Sequence, residues 1–190
     1  ETLECFSIVA PEGKFTSNLQ HLKVGDELYL EKIPYGYLTL ARYQLPLPQD
    51  LWLLGTGTGL APFLSMLQDF ETWNNYKQIN LVYSVRTQAE LAYVERIQEI
   101  AESFGEGHSG FKFIPIITRD PEAALHDRLP VLIANGELEK AAAMQLNPET
   151  SHVMLCGNPD MVEDTKEALK ARGLTMNRRG EGNIAVENYW

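Results

Sequence analysis

Three glycines at alternate positions, Gly55, Gly57 and Gly59, stand between two apolar runs in the stretch LLGTGTGLAP, residues 53–62. A strand that passes through such glycines into a helix exposes backbone N–H groups at the helix N-terminus, where unpaired amides and the helix dipole favour phosphate. The stretch lacks the Gly-Lys-Ser/Thr ending of a P-loop and the third glycine of the GxGxxG fingerprint. It predicts a phosphate-binding turn, with a tight ligand-free turn as the alternative.

Arginines follow two of the predicted strands. Arg86 ends VYSVR, Arg119 ends IITR, and Arg128 follows in LHDR. In a parallel sheet ligands lie beyond the carboxyl ends of the strands, and guanidinium groups suit phosphate. A site for NAD usually has a carboxylate near the end of the second strand, whereas this chain has Ser84 and Arg86 there. The pattern favours the 2′-phosphate of NADP, although any one arginine is equally a solvated loop charge.

The segment CGNP, residues 156–159, ends another predicted strand and opens a helix. Gly157 permits the close approach of a ring or a phosphate, and Pro159 suits a helix start. Cys156 is a candidate contact for a reacting ring. The alternative is a buried strand cysteine, which is at least as common.

Two further segments are candidates for contact with an aromatic, phosphate-bearing cofactor. GKFTSNL, residues 13–19, reads as a helix start that receives a pyrophosphate, with Thr16 or Ser17 as N-cap, or else as a hairpin loop running into a capped helix. Tyr189 and Trp190 end the chain. They either fray or stack on the ring of a cofactor.

A basic segment near the C-terminus stands out in an acidic chain. Its charged residues are Lys166, Lys170, Arg172, Arg178 and Arg179. A patch of this kind either steers an acidic protein partner or is a solvated helix face. The sequence leaves both interpretations open.

The elements that position these residues change in character along the chain. Residues 2–10 and 27–33 read as strands separated by turns, and LPLPQD, residues 45–50, reads as a linker. Strand and helix patterns then alternate, which is typical of a parallel sheet. We predict strands over 51–55, 79–85, 111–119 and 152–157, helices over 60–73, 88–104 and 160–173, mixed helix and turn over 127–144, and a short C-terminal tail.

Composition limits the classes of partner. The chain of 190 residues has a net charge of −10 and a pI near 4.9, which disfavours nonspecific binding to nucleic acid or to an anionic membrane surface. We expect no transmembrane helix, and the two distant cysteines predict free thiols in a cytoplasmic protein. The sequence starts without methionine and enters strand-like sequence at once, so we expect residues upstream in a longer precursor; a processed native start is the alternative.

Taken together, GTGTGLAP, SVR, the TR…DR pair, ETSHVMLCGNPDMVEDTKEAL and the terminal ENYW resemble the ferredoxin/flavodoxin–NADP reductases, in particular their compact bacterial subclass. The resemblance implies the later part of an antiparallel FAD-binding β-barrel over 1–46, then a doubly wound α/β NADP-binding domain over 47–190. The NADP contacts it implies are Gly57, Gly59, Arg86, Arg119, Arg128, Gly157, Asn158, Pro159 and Asp160. The FAD contacts are Phe6, Ser7, Ile8, Gly13, Lys14, Phe15, Thr16, Thr58, Tyr189 and Trp190.

The resemblance further implies an oxidoreductase that passes a hydride from NADPH to FAD and then single electrons to ferredoxin or flavodoxin. Cys156 and Glu187 are candidates for positioning the reacting ring, with no metal required, in a monomer. One departure bears on the flavin: the family's Arg-x-Tyr-Ser motif does not occur in the 190 residues. The chain is therefore expected to hold FAD weakly or not at all. The alternatives are an NADP-binding module without turnover, or a related reductase that serves an oxygenase or a haem protein.

Overall fold

Five parallel strands form the one sheet of the described chain, in a computed structural model that covers residues 3–10, 12–33, 35–43, 49–105 and 110–188. The strands are β1 (Asp50–Thr56), β2 (Gln78–Val85), β3 (Gly110–Ile117), β4 (Ser151–Gly157) and β5 (Ile184–Asn188). Their order is β3-β2-β1-β4-β5. The central strands are almost continuously apolar, as expected for strands that are covered on both faces.

The helices are mostly short; α1 precedes β1 in the chain, and the others lie between strands. They are α1 (Thr16–Leu19), α2 (Ala61–Leu67), α3 (Phe70–Asn75), α4 (Val94–Gly105), α5 (Leu129–Ala134), α6 (Glu137–Ala142) and α7 (Pro159–Ala171). Single 3-10 turns occupy Leu40–Arg42, Gly57–Leu60 and Gln88–Glu90. The second turn directly follows β1, and the third begins three residues after the end of β2, so neither strand leads into a long loop.

Helices cover both faces of the sheet. One face packs Trp52 and Leu54 of β1 against buried residues of α5, α6 and α7 in a single apolar cluster. On the opposite face Gly55 lies against the ring of Phe63 from α2, where an added Cβ would come within 3.2 Å. Burial of each large apolar side chain contributes about 1.5–3 kcal/mol. The prediction of a doubly wound parallel α/β domain is confirmed.

The chain divides into two compact units, Glu1–Gly36 and Tyr37–Trp190. In the described part of the first unit α1 is the one regular element, and the strands predicted over 2–10 and 27–33 are not formed. Strands require hydrogen-bonded neighbours and a packed face to be stable. Leu3, Ile8 and Tyr29 are instead exposed, so no packed face holds an antiparallel sheet there. The predicted linker over 45–50 lies largely outside the described residues, and Asp50 already belongs to β1.

Two other element predictions need correction. The single helix predicted over 60–73 is broken, because the side chain of Asp69 accepts a hydrogen bond from Glu71 N at 2.9 Å and starts α3 as a separate helix. The predicted C-terminal tail contains β5, which pairs in parallel with β4. β5 has only five residues, so its hydrophobic pattern is too short to predict a strand from the sequence.

Candidate functional site

The sheet changes winding direction between β1 and β4. From β1 the chain continues to β2 and β3 on one side, whereas β4 and β5 lie on the other side. In open α/β sheets ligands bind in the crevice beyond the carboxyl ends of strands at such a point. The turn Gly57–Leu60 and the start of α7 at Pro159 form the two sides of this crevice. Both glycine motifs predicted from the sequence therefore meet at the same edge.

The backbones of these two strand ends touch. A Cβ on Gly59 would come within 2.7 Å of Gly157 Cα and would overlap the carbonyl oxygen of Cys156. A Cβ on Gly157, whose φ is +138°, would come within 2.8 Å of Thr56 O. Thr56 Oγ1 also accepts a hydrogen bond from Asn158 N at 3.1 Å. The contact explains why glycine is required at both positions.

Gly57 has a different environment. Its φ is +52°, in the left-handed region, and an added Cβ would meet no atom of the described chain within 4 Å. The residue is exposed at the mouth of the crevice, whereas the next residue, Thr58, is 4% exposed. Gly57 therefore presents open backbone surface of the kind that a phosphate group can approach.

The first turn of α7 is capped by its own residues. Asn158 Oδ1 accepts hydrogen bonds from Asp160 N at 2.9 Å and from Met161 N at 3.2 Å, and Pro159 occupies the first turn. These two N–H groups therefore already have an acceptor. Asn158 and Asp160 are exposed, so both predicted contacts lie on the surface of the crevice.

Cys156 and Glu187 are register partners on β4 and β5. Cys156 is fully buried, which agrees with the strand-cysteine interpretation. Glu187 Oε2 accepts hydrogen bonds from Leu38 N at 3.2 Å and Tyr37 N at 3.4 Å. The carboxylate thus holds the backbone at the start of the second unit. A role of either residue in positioning a reacting ring stays a prediction.

Arg86 and Arg119 lie side by side at the ends of neighbouring strands. Arg119 N donates to Arg86 O at 2.9 Å, and Thr118 N donates to Val85 O at 2.9 Å, so the pairing of β2 and β3 continues past both strands. Both arginines are exposed. Arg128 is also exposed and is the N-cap residue of α5, beyond the loop that follows β3. Arg86 and Arg119 therefore lie together at one edge, and the convergence of all three arginines on a phosphate stays a prediction.

A carboxylate that the sequence reasoning missed binds Arg86. Glu90 Oε1 accepts from Nη2 of Arg86 at 2.5 Å, and Glu90 Oε2 accepts from Nε at 3.2 Å and from the Arg86 backbone N at 3.0 Å. The hydrogen bond from Arg86 lowers the pKa of Glu90, and the charge of Arg119 lowers it further. The spacing of four residues between Arg86 and Glu90 was the available signal in the sequence.

The predicted flavin contacts of the first unit are largely open to solvent. Phe15 is 65% exposed and Ile8 is 54% exposed. Ser7 and Lys14 are exposed, and Phe6, Gly13 and Thr16 are half-buried. Thr16 Oγ1 accepts from Ala10 N at 3.0 Å and closes the loop around Gly13. Tyr189 and Trp190 lie outside the described residues.

The basic segment near the C-terminus is largely neutralised by acidic neighbours. Lys166 pairs with Glu163, Lys170 with Glu167 at 2.7 Å, and Arg172 with Glu139 at 2.7 Å. These pairs favour the interpretation as a solvated helix face over a docking patch for an acidic protein. Among the described residues, no group of three or more His, Cys, Asp or Glu side chains could hold a metal ion. No helix in that part of the chain is long and apolar enough to cross a membrane.

Comparison with known proteins identifies the family. Residues 53–167 match the family model of the NAD-binding domain of oxidoreductases. The chain is 41% identical to ferredoxin–NADP reductase of Pseudomonas aeruginosa, over 98% of this chain and 74% of that protein. It is 37% identical to flavodoxin/ferredoxin–NADP reductase of Buchnera aphidicola, over 100% of this chain and 73% of that protein. The chain belongs to the ferredoxin/flavodoxin–NADP reductase family.

A solved structure of this reductase family agrees with the fold. The ferredoxin–NADP⁺ reductase of Neisseria gonorrhoeae, crystallised with FAD and NADP, superposes with a TM-score of 0.84 at 34% identity, covering 95% of this chain and 71% of that one. The family-model match contains the glycine turn, the arginines with Glu90, and the CGNP segment. These components of the crevice therefore lie in the segment that matches the model of the oxidoreductase NAD-binding domain.

Proposed function

We propose that the chain is a flavin-dependent oxidoreductase that passes electrons between NADPH and ferredoxin or flavodoxin. The observation that carries the proposal is the crevice where Gly59 and Gly157 bring the ends of β1 and β4 into backbone contact. Beside it, exposed arginines end the two neighbouring strands. This combination suits a dinucleotide with an additional phosphate.

The arginines would recognise the 2′-phosphate of NADP. Each guanidinium offers a planar fork of N–H donors that matches phosphate, and charge-assisted hydrogen bonds contribute about 1.5–3 kcal/mol. Arg86 and Arg119 would bind from adjacent strand ends, and Arg128 from the N-terminus of α5. All three are exposed, so they can change rotamer on binding without repacking the core.

The glycines would admit the rest of the dinucleotide. Gly57 and Gly59 present backbone without side chains to the pyrophosphate, and Gly157, Asn158, Pro159 and Asp160 would line the nicotinamide half. Cys156, fully buried beneath this surface, would exclude water from below the ring. Glu187 uses Oε2 to hold Tyr37 N and Leu38 N, so Oε1 would be the atom that acts on the reacting ring.

FAD is the resident cofactor that family membership implies. The first unit offers an exposed lysine and an exposed aromatic ring, Lys14 and Phe15, directly after the Gly13 turn, and these fit a pyrophosphate and a flavin ring. FAD bound there would supply the step between a two-electron donor and a one-electron carrier. Because no Arg-x-Tyr-Ser run is present in the sequence, we propose weak FAD binding by this chain.

The proposed function also includes a role for each part of the chain, the type of electron carrier, the cellular location and the oligomeric state. Residues 1–46 would contribute to FAD binding and residues 47–190 would bind NADP. The carrier would be an acidic one-electron protein, and the reductase would act as a cytoplasmic monomer. Lys170 and Arg172 of the basic segment near the C-terminus already pair with Glu167 and Glu139, so these two residues do not identify the docking face for the carrier.

A reconstitution experiment tests the proposed function. The chain is mixed with FAD, and the flavin absorbance that remains after gel filtration is measured, followed by the reduction of an artificial electron acceptor by NADPH. We expect turnover that rises with added FAD. Binding of NADP without FAD-dependent turnover would instead support the second candidate, a nucleotide-binding module, which the exposed apolar residues of the first unit favour. The absence of both NADP binding and turnover would contradict the proposal.

A further inference from the structure

The ion pair between Arg86 and Glu90 brings a carboxylate to the end of β2. The sequence has a serine and an arginine there, but the 3-10 turn Gln88–Glu90 folds back and returns the Glu90 carboxylate to the Arg86 backbone N–H. The buried Tyr83 hydroxyl donates to Glu90 O at 3.4 Å and supports the turn. The edge that carries the arginines therefore also carries the type of group that binds an unphosphorylated ribose.

The pair leaves binding capacity on both partners. Glu90 takes the Nε and Nη2 edge of the Arg86 guanidinium, and the Nη1 group is not used by this carboxylate. On the carboxylate, Oε2 accepts two N–H groups of Arg86 and Oε1 accepts one, so Oε1 retains a lone pair. A ligand at this edge can therefore accept a hydrogen bond from the Arg86 guanidinium and donate one to the Glu90 carboxylate.

The Glu90 carboxylate would weaken the binding of NADP and strengthen the binding of NAD. A 2′-phosphate carries nearly two negative charges at neutral pH and would be repelled by Glu90 while it is attracted by the arginines. A free 2′-hydroxyl would instead donate a hydrogen bond to the carboxylate. Glu90 is 37% exposed and Arg86 is 64% exposed, so solvent moderates both effects.

Building on the proposed function, we propose that Glu90 sets the discrimination between NADP and NAD. It reduces the preference for NADP that the arginines create, because its carboxylate repels the 2′-phosphate and accepts the 2′-hydroxyl. The NADP/NAD ratio is then determined by a balance between three arginines and one carboxylate. Glu90 is thus a specificity-determining residue, and NAD is a weak second ligand of the same edge.

The test uses two small probes that differ only in the 2′-phosphate, namely 2′,5′-ADP and 5′-AMP. Their dissociation constants are measured by calorimetry for the unaltered chain, for Glu90→Gln and for Glu90→Ser. We expect 2′,5′-ADP to bind about three- to fivefold more tightly to both variants, and 5′-AMP to bind equally or more weakly. The gain should shrink in high salt, because it arises from removed repulsion between partly exposed charges.

Glu99→Gln is the matched control. Glu99 forms a similar exposed pair with Arg96 at 3.1 Å on α4, away from the strand ends, and its removal should leave both dissociation constants unchanged. Thermal unfolding of all variants verifies that each one folds.

The outcomes separate the inference from the proposed function. A 2′,5′-ADP to 5′-AMP preference that is unchanged or lower in both Glu90 variants would overturn the inference, and a lower preference would make Glu90 a support for Arg86. If the unaltered chain itself does not prefer 2′,5′-ADP, the NADP assignment fails and the inference fails with it.

Discussion

The two ends of the sheet use opposite chemistry. At the amino end of the strands, Tyr43, Tyr76 and His152 form a buried polar cluster with Asp50 close by at the start of β1. At the carboxyl end the glycines touch and the arginines face solvent. The polar side chains at the amino end are buried and bonded within the protein, whereas the arginines at the carboxyl end offer N–H donors to a ligand.

The amino-end cluster is held by specific contacts. The ring of His152 stacks on Tyr43 with centroids 3.5 Å apart, and its Nδ1 is 2.9 Å from the Tyr76 hydroxyl. The Tyr43 hydroxyl donates to Asn183 O at 3.0 Å and to Val153 O at 3.1 Å. Burial lowers the pKa of His152 to about 4 and raises the pKa of Tyr43 and of Tyr76.

Strongly shifted pKa values often mark active sites. In this chain burial causes the large shifts, both at the amino end and at Tyr83 near the carboxyl end of β2, while the shifts of Arg86 and Glu90 arise mainly from their own ion pair. The pKa shifts of this chain therefore reflect burial and ion pairing, whereas exposed charge and bare backbone distinguish the functional edge.

The largest effect is expected at the glycine contact. Gly157→Ala places a Cβ within 2.8 Å of Thr56 O at a φ of +138°, so we expect a loss of about 3–5 kcal/mol in the free energy of unfolding, together with loss of NADP binding. Gly57→Ala is the control, because its Cβ has space and only left-handed strain of about 1–2 kcal/mol applies. Urea unfolding measures both variants. Equal losses would show that crowding at Gly157 is unimportant.

The second-largest effect is expected at the arginines. The double variant Arg119→Ala/Arg128→Ala removes two charged donors for a 2′-phosphate, and we expect NADP to bind about 100-fold more weakly while NAD changes less than about threefold. Calorimetry with both nucleotides gives the comparison. Equal weakening of NADP and NAD would contradict the assignment of these residues to the 2′-phosphate.

A pH titration tests the amino end. Because His152 is neutral in the folded chain down to a pKa of about 4, while an unfolded histidine takes a proton near 6.5, acid favours unfolding. Relative to pH 8, we expect the free energy of unfolding to fall by about 2 kcal/mol at pH 5 from this residue.

His152→Gln isolates that contribution. Burial raises the pKa of Asp50, and this gives a pH dependence of opposite sign that both proteins share. The variant should therefore lose the destabilisation between pH 6.5 and 5 that the unaltered chain shows. NADP affinity should be equal in the two proteins at pH 8. Parallel pH profiles would show that His152 does not titrate as described.

The smallest effect is expected at Glu187. Glu187→Gln weakens two hydrogen bonds, from Tyr37 N and Leu38 N, and we expect a loss of about 1 kcal/mol in the free energy of unfolding. NADP affinity should stay within about twofold. In a reconstituted enzyme, a fall in kcat at constant KM would assign Glu187 to the reacting ring instead. Glu149→Gln, which removes the same charge from an exposed side chain, is the matched control.

The carboxyl end was more predictable from the sequence than the amino end. Glycines and arginines at strand ends are local signals, since their meaning depends only on the strand that precedes them. The amino-end cluster joins residues as far apart as Tyr43 and Asn183, 140 positions away, which no local pattern records. Glu90 was missed for a related reason, because a turn returns its carboxylate to a strand end that the sequence shows as basic. The segments before residue 34 have the local pattern of strands, but in the described residues they form no hydrogen-bonded pairs with a neighbouring strand.

Hydrogen–deuterium exchange with and without NADP shows which end of the sheet binds the nucleotide, because it examines both ends in one experiment. We predict that NADP protects the backbone amides of residues 56–60, 86–90, 118–128 and 156–162, and leaves exchange near Tyr43, Tyr76 and His152 unchanged. Protection that centres on the amino end, or that is absent from the arginine and glycine segments while NADP is bound, would contradict the account.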